Sequence, residues 1–348
     1  MARTTEKPAA PTRVFSGIQP SGELHLGNYF GAIQNWVRMQ DDHDCIYCVV
    51  DYHAVTGRTG RESDKFQDAR HEPLSAMSVR MAGDLIACGI DPQRSILFVQ
   101  SHVPEHTELA WVFSCIASYG DLTRMTQFKD KADRSDYVSV GLFTYPVLQA
   151  ADILLYHAAR VPVGEDQVQH LELARRIGRR FNTLVGRDYF PEVEAELTEG
   201  KRVMSLVEPT QKMSKSLGDK HYVGLMEPTD AAWKKIRSAV TDTGQEAGQA
   251  MSPGVANLFE LLRLSGAPAE SVAEFRNAHA AGKIRYGDLK AAVQENLMRV
   301  LDPIRERRAG LSDDDVRGIL DQGAARARAI AGRTMADVRE MVGVGRGR

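Results

Sequence analysis

Apolar positions along this chain switch between two periods. Short, nearly unbroken apolar runs at Arg13 to Ser16, Cys45 to Val50, Ser95 to Gln100 and Arg160 to Val163 predict buried strands. Between them the spacing becomes helical. Leu26, Tyr29, Phe30, Ile33, Trp36 and Val37 predict a helix starting near Leu24. Further helices are predicted over 73–88, Glu105 to Ala117, Asp121 to Lys131, Pro146 to Tyr156 (with Pro at its first turn) and Asp166 to Phe181. Strands that alternate with helices imply an α/β protein with a parallel, doubly wound sheet. After Ser216 the strand signal stops, and 229–240, 255–265, 269–280, 286–309, 312–320 and 323–342 read as helices. A C-terminal all-helical domain is therefore expected, with a boundary near Val207-Glu208-Pro209.

The 348 residues suggest one large domain or two unequal ones, and 43% hydrophobic with 26% charged residues is ordinary for a globular chain. A net charge of -2 gives no global basic signal, so a nucleic-acid partner needs a local basic face. Candidates in the helical part are Lys234, Lys235, Arg237, Lys283, Arg285, Lys290, Arg305, Arg307 and Arg308, with an ordinary solvated helix face as the rival reading. Four cysteines in so long a chain make no disulfide framework and fit a reduced cytoplasm. Cys45 and Cys48 are spaced like a metal or redox pair. On a strand, however, residues three apart face opposite sides, so structural thiols are expected and no metal site. No window reaches the apolar length of a membrane span. Residues 1–12 read as a flexible tail and the Gly/Arg-rich end from Gly343 as disordered.

Two segments carry candidate chemistry. Lys212-Met213-Ser214-Lys215-Ser216 sits between Pro209-Thr210 and Leu217-Gly218, so it reads as a loop with two aimed ammonium groups. Such a loop suits a polyphosphate whose charge rises during reaction. The second segment, Ser16 to Asn28, links the first strand to the first helix and is punctuated by Gly17, Gly22 and Gly27. Amides at that helix start form a natural anion site. Taken with Asp51 to Thr56, Met125 to Lys129, Ala150 to Tyr156 and Val163 to Gln167, these motifs resemble the bacterial tryptophanyl-tRNA synthetases of the class I aminoacyl-tRNA synthetase family. The landmarks run in order from about residue 13 to about residue 300. His25-Leu26-Gly27-Asn28 matches the first class signature, with Asn28 where the class ends in His, and Lys212 to Ser216 matches the second without a mismatch.

The resemblance implies a Rossmann-like catalytic domain over 13–207 and a helical anticodon-binding domain over 208–310 that starts with the lysine loop. C-terminal helices and a disordered tail over 311–348 complete it. It implies a tryptophan–tRNA ligase that joins the tryptophan carboxylate to the α-phosphate of ATP, with Mg²⁺, then esterifies tRNA(Trp); L-tryptophan, ATP and tRNA(Trp) are the expected partners, in a cytoplasmic homodimer. A carboxylate is already a nucleophile, so catalysis rests on positioning and on stabilising the leaving pyrophosphate. Lys212 and Lys215 are expected at the leaving phosphates. Lys129 and Lys131 form a second cationic pair, with an exposed helix face as the rival reading. Gln19, Pro20, Ser21, His25, Gly27 and Asn28 are expected on the phosphate side. Gly164, Glu165, Asp166, Val203 and Met204 are expected around adenine and ribose, with Met213, Ser214 and Ser216 completing the nucleotide site. Asp166 also stands where a helix N-cap would.

Asp152, on a largely apolar helix, is the expected acceptor for the indole N–H, because a carboxylate there is costly unless paired. An Asp bonded to local backbone or to an Arg is the alternative. Phe15, Gly17, His53, Tyr145, Gln149, Val161, Val163 and Gln167 would complete the pocket. Gln149 departs from the family pattern, where a Met is common, and the segment 57–72 is longer than that pattern. A tyrosyl-tRNA synthetase-like enzyme, a small-substrate nucleotidyltransferase and a catalytically silent tRNA-binding paralogue are the alternatives. The intact lysine loop and the helical domain weigh against them.

Overall fold

The computed structural model describes residues 12–58, 72–128, 137–164, 167–197, 202–242 and 250–345. Five strands, β1 (Arg13–Ile18), β2 (Asp44–Val49), β3 (Ile96–Val99), β4 (Arg160–Val163) and β5 (Glu194–Leu197), form one parallel sheet in the order β3-β2-β1-β4-β5. The chain starts at the centre and winds outward both ways, so β1 and β4 flank the point where the winding reverses. Ligands on such sheets sit beyond the strand carboxyl ends at this point. Edge strand β5 escaped the sequence reading because it is short, acidic and mostly solvated rather than a continuous apolar run.

Side chains alternate across the sheet. Val14, Cys45, Tyr47, Val49, Leu97 and Val99 face one core, and Phe15, Ile46, Cys48, Ile96, Phe98 and Val161 face the other. Cys45 and Cys48 thus lie on opposite faces, as the two-residue period requires. The first core is covered by α1 (Leu26–Asn28), a π-turn (Tyr29–Ile33), α2 (Gln34–Met39) and α4 (Leu74–Ala87), and α3 (Asp51–Val55) follows β2. This core runs on into the helical part: α9 (Thr229–Ser238), α10 (Pro253–Leu264), α11 (Ala269–Ala280) and α12 (Tyr286–Ala309). The second core is covered by α5 (Glu105–Ser114), α6 (Tyr119–Thr123), α7 (Val140–Leu154) and α8 (Val168–Val185).

Three helix readings need correction. The helix expected over Asp121 to Lys131 is broken at Arg124 and Met125, just after α6, and from Lys129 on it lies outside the described residues. The helix expected from Pro146 begins six residues earlier, where the Ser139 hydroxyl accepts the Leu142 amide at 3.1 Å. Pro146 lies inside α7 and costs it one backbone bond, tolerated because the helix is buried in the second core. The stretches 312–320 and 323–342 form a single helix, α13 (Asp313–Val342). It crosses the β3 edge: Val316 and Leu320 join the first core, and Ala324, Ala327, Ala331, Met335 and Val338 join the second. At the crossing a Cβ on Gly323 would collide with the Leu97 carbonyl oxygen, so glycine is required for this approach. The helix covers a sheet edge that would otherwise offer unpaired backbone groups.

Candidate active site

The two motif segments meet at the carboxyl end of the sheet. The Lys215 ammonium donates to the backbone carbonyls of Ser21 and, at 2.9 Å, Glu23. Gly27 lies against Met213, with its Cβ position 3.5 Å from the Met213 Cβ. The His25 segment is also stitched to the chain beyond the lysine loop, where the Leu26 amide donates to Val223 O (3.0 Å) and the Leu225 amide to Leu24 O (2.9 Å). The loop itself is anchored from behind. The Met213 amide donates to Val203 O, and Asn257 of α10 clamps Met204, accepting from its amide at 2.9 Å and donating to its carbonyl at 3.0 Å. Lys212 is exposed beside this anchor.

His25 caps α1. Its Nδ1 accepts the Gly27 amide at 3.1 Å, and Asn28 Oδ1 accepts the His25 amide at 3.1 Å. Burial, and secondarily the Lys215 charge, lowers the His25 pKa to about 4. At neutral pH its ring is uncharged, with Nδ1 accepting and Nε2–H left as the donor. Burial also lowers the Lys215 pKa, against the opposing effect of Glu23. Gly17, Gln19 and Ser21 are exposed along the same lip, while Pro20 is buried and Asn28 half-buried. At Gly17 a Cβ would lie 2.9 Å from the Val50 side chain, so glycine keeps the ends of β1 and β2 close.

Asp152 on α7 is 1% exposed and receives four donor contacts. Oδ1 accepts from His106 Nδ1 at 2.6 Å and Gln100 Nε2 at 2.7 Å, and Oδ2 accepts from His53 Nε2 at 2.9 Å and Gln100 Nε2 at 2.9 Å. The alternative of local backbone or Arg partners therefore does not hold. Burial alone would raise the Asp152 pKa, but hydrogen bonds from His106 and His53 outweigh it and the carboxyl is held well below its usual range. His106 Nε2 lies 2.8 Å from the Tyr156 hydroxyl, which burial keeps protonated. An ionised carboxylate only accepts, so His106 Nδ1 donates to Asp152 while its Nε2 meets the Tyr156 hydroxyl. Phe15 stacks on Tyr156 with centroids 5.7 Å apart, tying β1 to this network.

Of the other expected pocket residues, Val161 is buried and Val163 half-buried on β4, both on the second core face. Tyr145 bonds His170 Nε2 through its hydroxyl at 2.9 Å, and burial raises its pKa to about 12. Gln149 is half-buried on α7, and the Gln167 amide donates to Gly164 O at 3.0 Å just beyond β4. His53 and Tyr145 also line a cavity of about 440 Å³ with Tyr52, Thr56, Ser139 and Leu148. Lys129, Lys131, Glu165 and Asp166 lie outside the described residues, as do 59–71 of the long segment, the N-terminal stretch 1–11 and the last residues 346–348. Sequence reading missed Gln100, His106 and Tyr156. The available signal was three polar-headed residues in apolar surroundings, which must find partners when buried.

The expected basic face is smaller than its nine candidates. Lys290 donates to the Arg237 and Ala239 carbonyls, Arg305 to Leu225 O and Asp302, Arg307 to Ala87 O and Arg308 to Asp84. These four, with the buried Lys235, hold the helices to each other and to α4. Lys234, Arg237, Lys283 and Arg285 remain exposed, as does Arg307 despite its bond to Ala87 O.

The family model for tRNA synthetases class I (W and Y) matches residues 7–302. The chain belongs to this family. It is 42% identical over 338 residues to a tryptophan–tRNA ligase of Caldanaerobacter subterraneus subsp. tengcongensis, covering 95% of this chain and 98% of the relative. Its fold is similar to the tryptophanyl-tRNA synthetase of Campylobacter jejuni complexed with ADP and tryptophan (TM-score 0.81, 33% identity, 96% and 100% of the two chains). It is also similar to the Mycoplasma pneumoniae tryptophanyl-tRNA synthetase (TM-score 0.80, 32% identity, 96% and 98%). A tyrosyl-tRNA synthetase of Aeropyrum pernix shares the fold at 22% identity (TM-score 0.63). The fold class expected from sequence, a Rossmann-like parallel sheet with a helical region after it, is the one this family has.

Proposed function

We propose that this class I synthetase is a tryptophan–tRNA ligase, activating L-tryptophan with ATP and transferring it to the terminal ribose of tRNA(Trp). The observation that carries the reading is the convergence of Lys215 on the Ser21–Glu23 backbone, just beyond β1, whose Phe15 is linked through Tyr156 and His106 to an ionised, buried Asp152. The tryptophan carboxylate attacks the α-phosphate, and the bond to the pyrophosphate breaks. Lys212 and Lys215, the neutral His25 N–H and the Asn28 amide stabilise the charge on the departing oxygens. Gln19, Pro20, Ser21 and Gly27 line the phosphate path, and Lys129 and Lys131 add a second cationic wall. Gly164, Glu165, Asp166 and Val203 hold the nucleoside, while Met213, Ser214 and Ser216 shape the loop over it.

Asp152 accepts the indole N–H. Its four acceptor directions are taken, so the indole replaces one donor, and His53, which also borders the open cavity, is the one placed to yield. A pocket built around this bond rejects phenylalanine, which would leave the carboxylate short of a partner. Among the described residues no group of three or more His, Cys, Asp or Glu side chains could hold a metal ion. Mg²⁺ is assigned to the ATP phosphates, with which it enters as part of the substrate.

The helices after Glu208 are assigned to the tRNA anticodon, through exposed Lys234, Arg237, Lys283 and Arg285. A homodimer is inferred from exposed apolar side chains around the start of α7: Val140 is 77% exposed, and the 74% exposed Tyr119 packs on Phe143. All four cysteines are free, as a reducing cytoplasm would keep them, and no helix among the described residues is long and apolar enough to cross a membrane. Amino-acid-dependent ATP–pyrophosphate exchange tests the reading. Tryptophan should stimulate exchange. Stimulation by tyrosine alone would make this a tyrosyl-type enzyme, and none with any amino acid would make it a silent tRNA-binding paralogue.

A further inference from the structure

Lys235 on α9 is 9% exposed, an expensive place for an ammonium group. Two carboxylates satisfy it, Asp219 Oδ1 at 2.8 Å and Glu227 Oε2 at 2.7 Å. The Tyr222 ring covers it, with the centroid 4.7 Å from Nζ. Burial alone would lower its pKa, but the two bonds outweigh burial and the net direction is upward.

These three partners come from different parts of the crevice lip. Asp219 follows the 3₁₀ turn Lys215–Leu217 across Gly218, so it is the trailing end of the lysine loop. Tyr222 meets the His25 ring at 5.8 Å. Glu227 lies two residues beyond the segment Val223–Leu225, whose backbone pairs with Leu24 and Leu26. One buried cation therefore ties the loop that carries Lys212 and Lys215 to the segment that carries His25. The Glu227 pair is buried and fixes the ammonium group at a definite point, and from there Lys235 holds the exposed Asp219 carboxylate at the loop end.

We propose that Lys235 is a positioning residue for tryptophan activation, holding the Lys212–Ser216 loop against the His25 segment so that both loop lysines face the leaving pyrophosphate. It acts through Asp219 and Tyr222, not on the reacting atoms, and the inference rests on the ligase reading above.

The test is tryptophan-dependent ATP–pyrophosphate exchange with Lys235→Met, Lys235→Arg and Asp219→Asn. Lys235→Met keeps the length and removes the charge. It should lower kcat at least about tenfold and raise KM for ATP, because misplaced catalytic groups cost that much or more. The tryptophan Kd, read by calorimetry, should stay within about twofold, since separated sites act independently. Lys235→Arg should recover most of the loss. Asp219→Asn leaves Lys235 paired with Glu227 and loosens only the loop end, so the same parameters should move by about threefold. A purely structural Lys235 would lower the melting temperature and leave kcat and both substrate constants of the folded protein at wild-type values. That result, or an equal loss of tryptophan affinity, overturns the proposal. Should Lys235→Met fail to fold, wild-type ATP parameters in Asp219→Asn overturn it instead. Wild-type protein that does not exchange with tryptophan refutes the ligase reading before any variant is compared.

Discussion

Replacing Asp152 by Asn tests the specificity pocket at one atom. The carboxylate accepts from His106 and Gln100 on one oxygen and from His53 and Gln100 on the other. Asn keeps one oxygen and turns the second into a donor. The less costly orientation keeps the oxygen toward His106, whose Nδ1 makes the shortest of these bonds. The new NH₂ then faces His53, on the side where the indole is to enter. The indole N–H loses a hydrogen bond to a charged acceptor, about 1.5–3 kcal/mol, and meets a donor in its place. At about 1.4 kcal/mol per factor of ten, the tryptophan Kd should rise about tenfold to a hundredfold. Calorimetry gives the Kd, and exchange assays with tryptophan and phenylalanine give the selectivity, which should fall by a similar factor. KM for ATP should change little. An unchanged ratio of kcat/KM for the two amino acids would refute the role assigned to Asp152. The variant also carries a pH signature. The folded carboxyl lies below its ordinary value of 3.8, so it stabilises the wild type fully above that pH and loses this contribution as pH falls through its folded value. The wild-type stability advantage over Asp152→Asn should therefore be largest near neutrality and shrink in acid, as read by urea midpoints.

Three further outcomes are expected. His25 should titrate near pH 4 by imidazole NMR, and because its pKa is depressed its contribution to stability is complete above 6.5 and declines as pH falls toward 4; a midpoint near 6.5 would contradict its burial beside Lys215. Charge reversal at the exposed Lys283 and Arg285 should raise the tRNA KM and leave adenylate formation within about twofold, as separate sites require; equal damage to both steps would remove the division of labour between the two regions. Gly323→Ala should cost about 1–3 kcal/mol of stability, read as a fall in the urea midpoint, because the new methyl meets the rigid Leu97 backbone. An unchanged midpoint would mean that α13 does not seat on β3 as described.

What was legible in the chain follows from how far each signal reaches. The strands β1 to β4 stood out because a strand buried on both faces is a continuous apolar run. The two motif segments stood out because glycine spacing and paired lysines are local. Of the network around Asp152 only His53 was legible: Gln100, His106 and Tyr156 come from just beyond β3, from α5 and from just beyond α7, and only the fold brings them together. The same limit hid the real use of the basic residues. A sequence counts Lys235, Arg307 and Arg308 as surface charge, whereas Lys235 closes a buried node and the two arginines pin α12 to α4. Burial reverses what a charge is for. An exposed lysine is available to a partner, while a buried one is already committed and its position becomes its effect. For that reason the exposed Lys212 and the buried Lys235 are assigned different uses. Neutralising the first should remove a contact to the nucleotide, and neutralising the second should misplace both loop lysines at once.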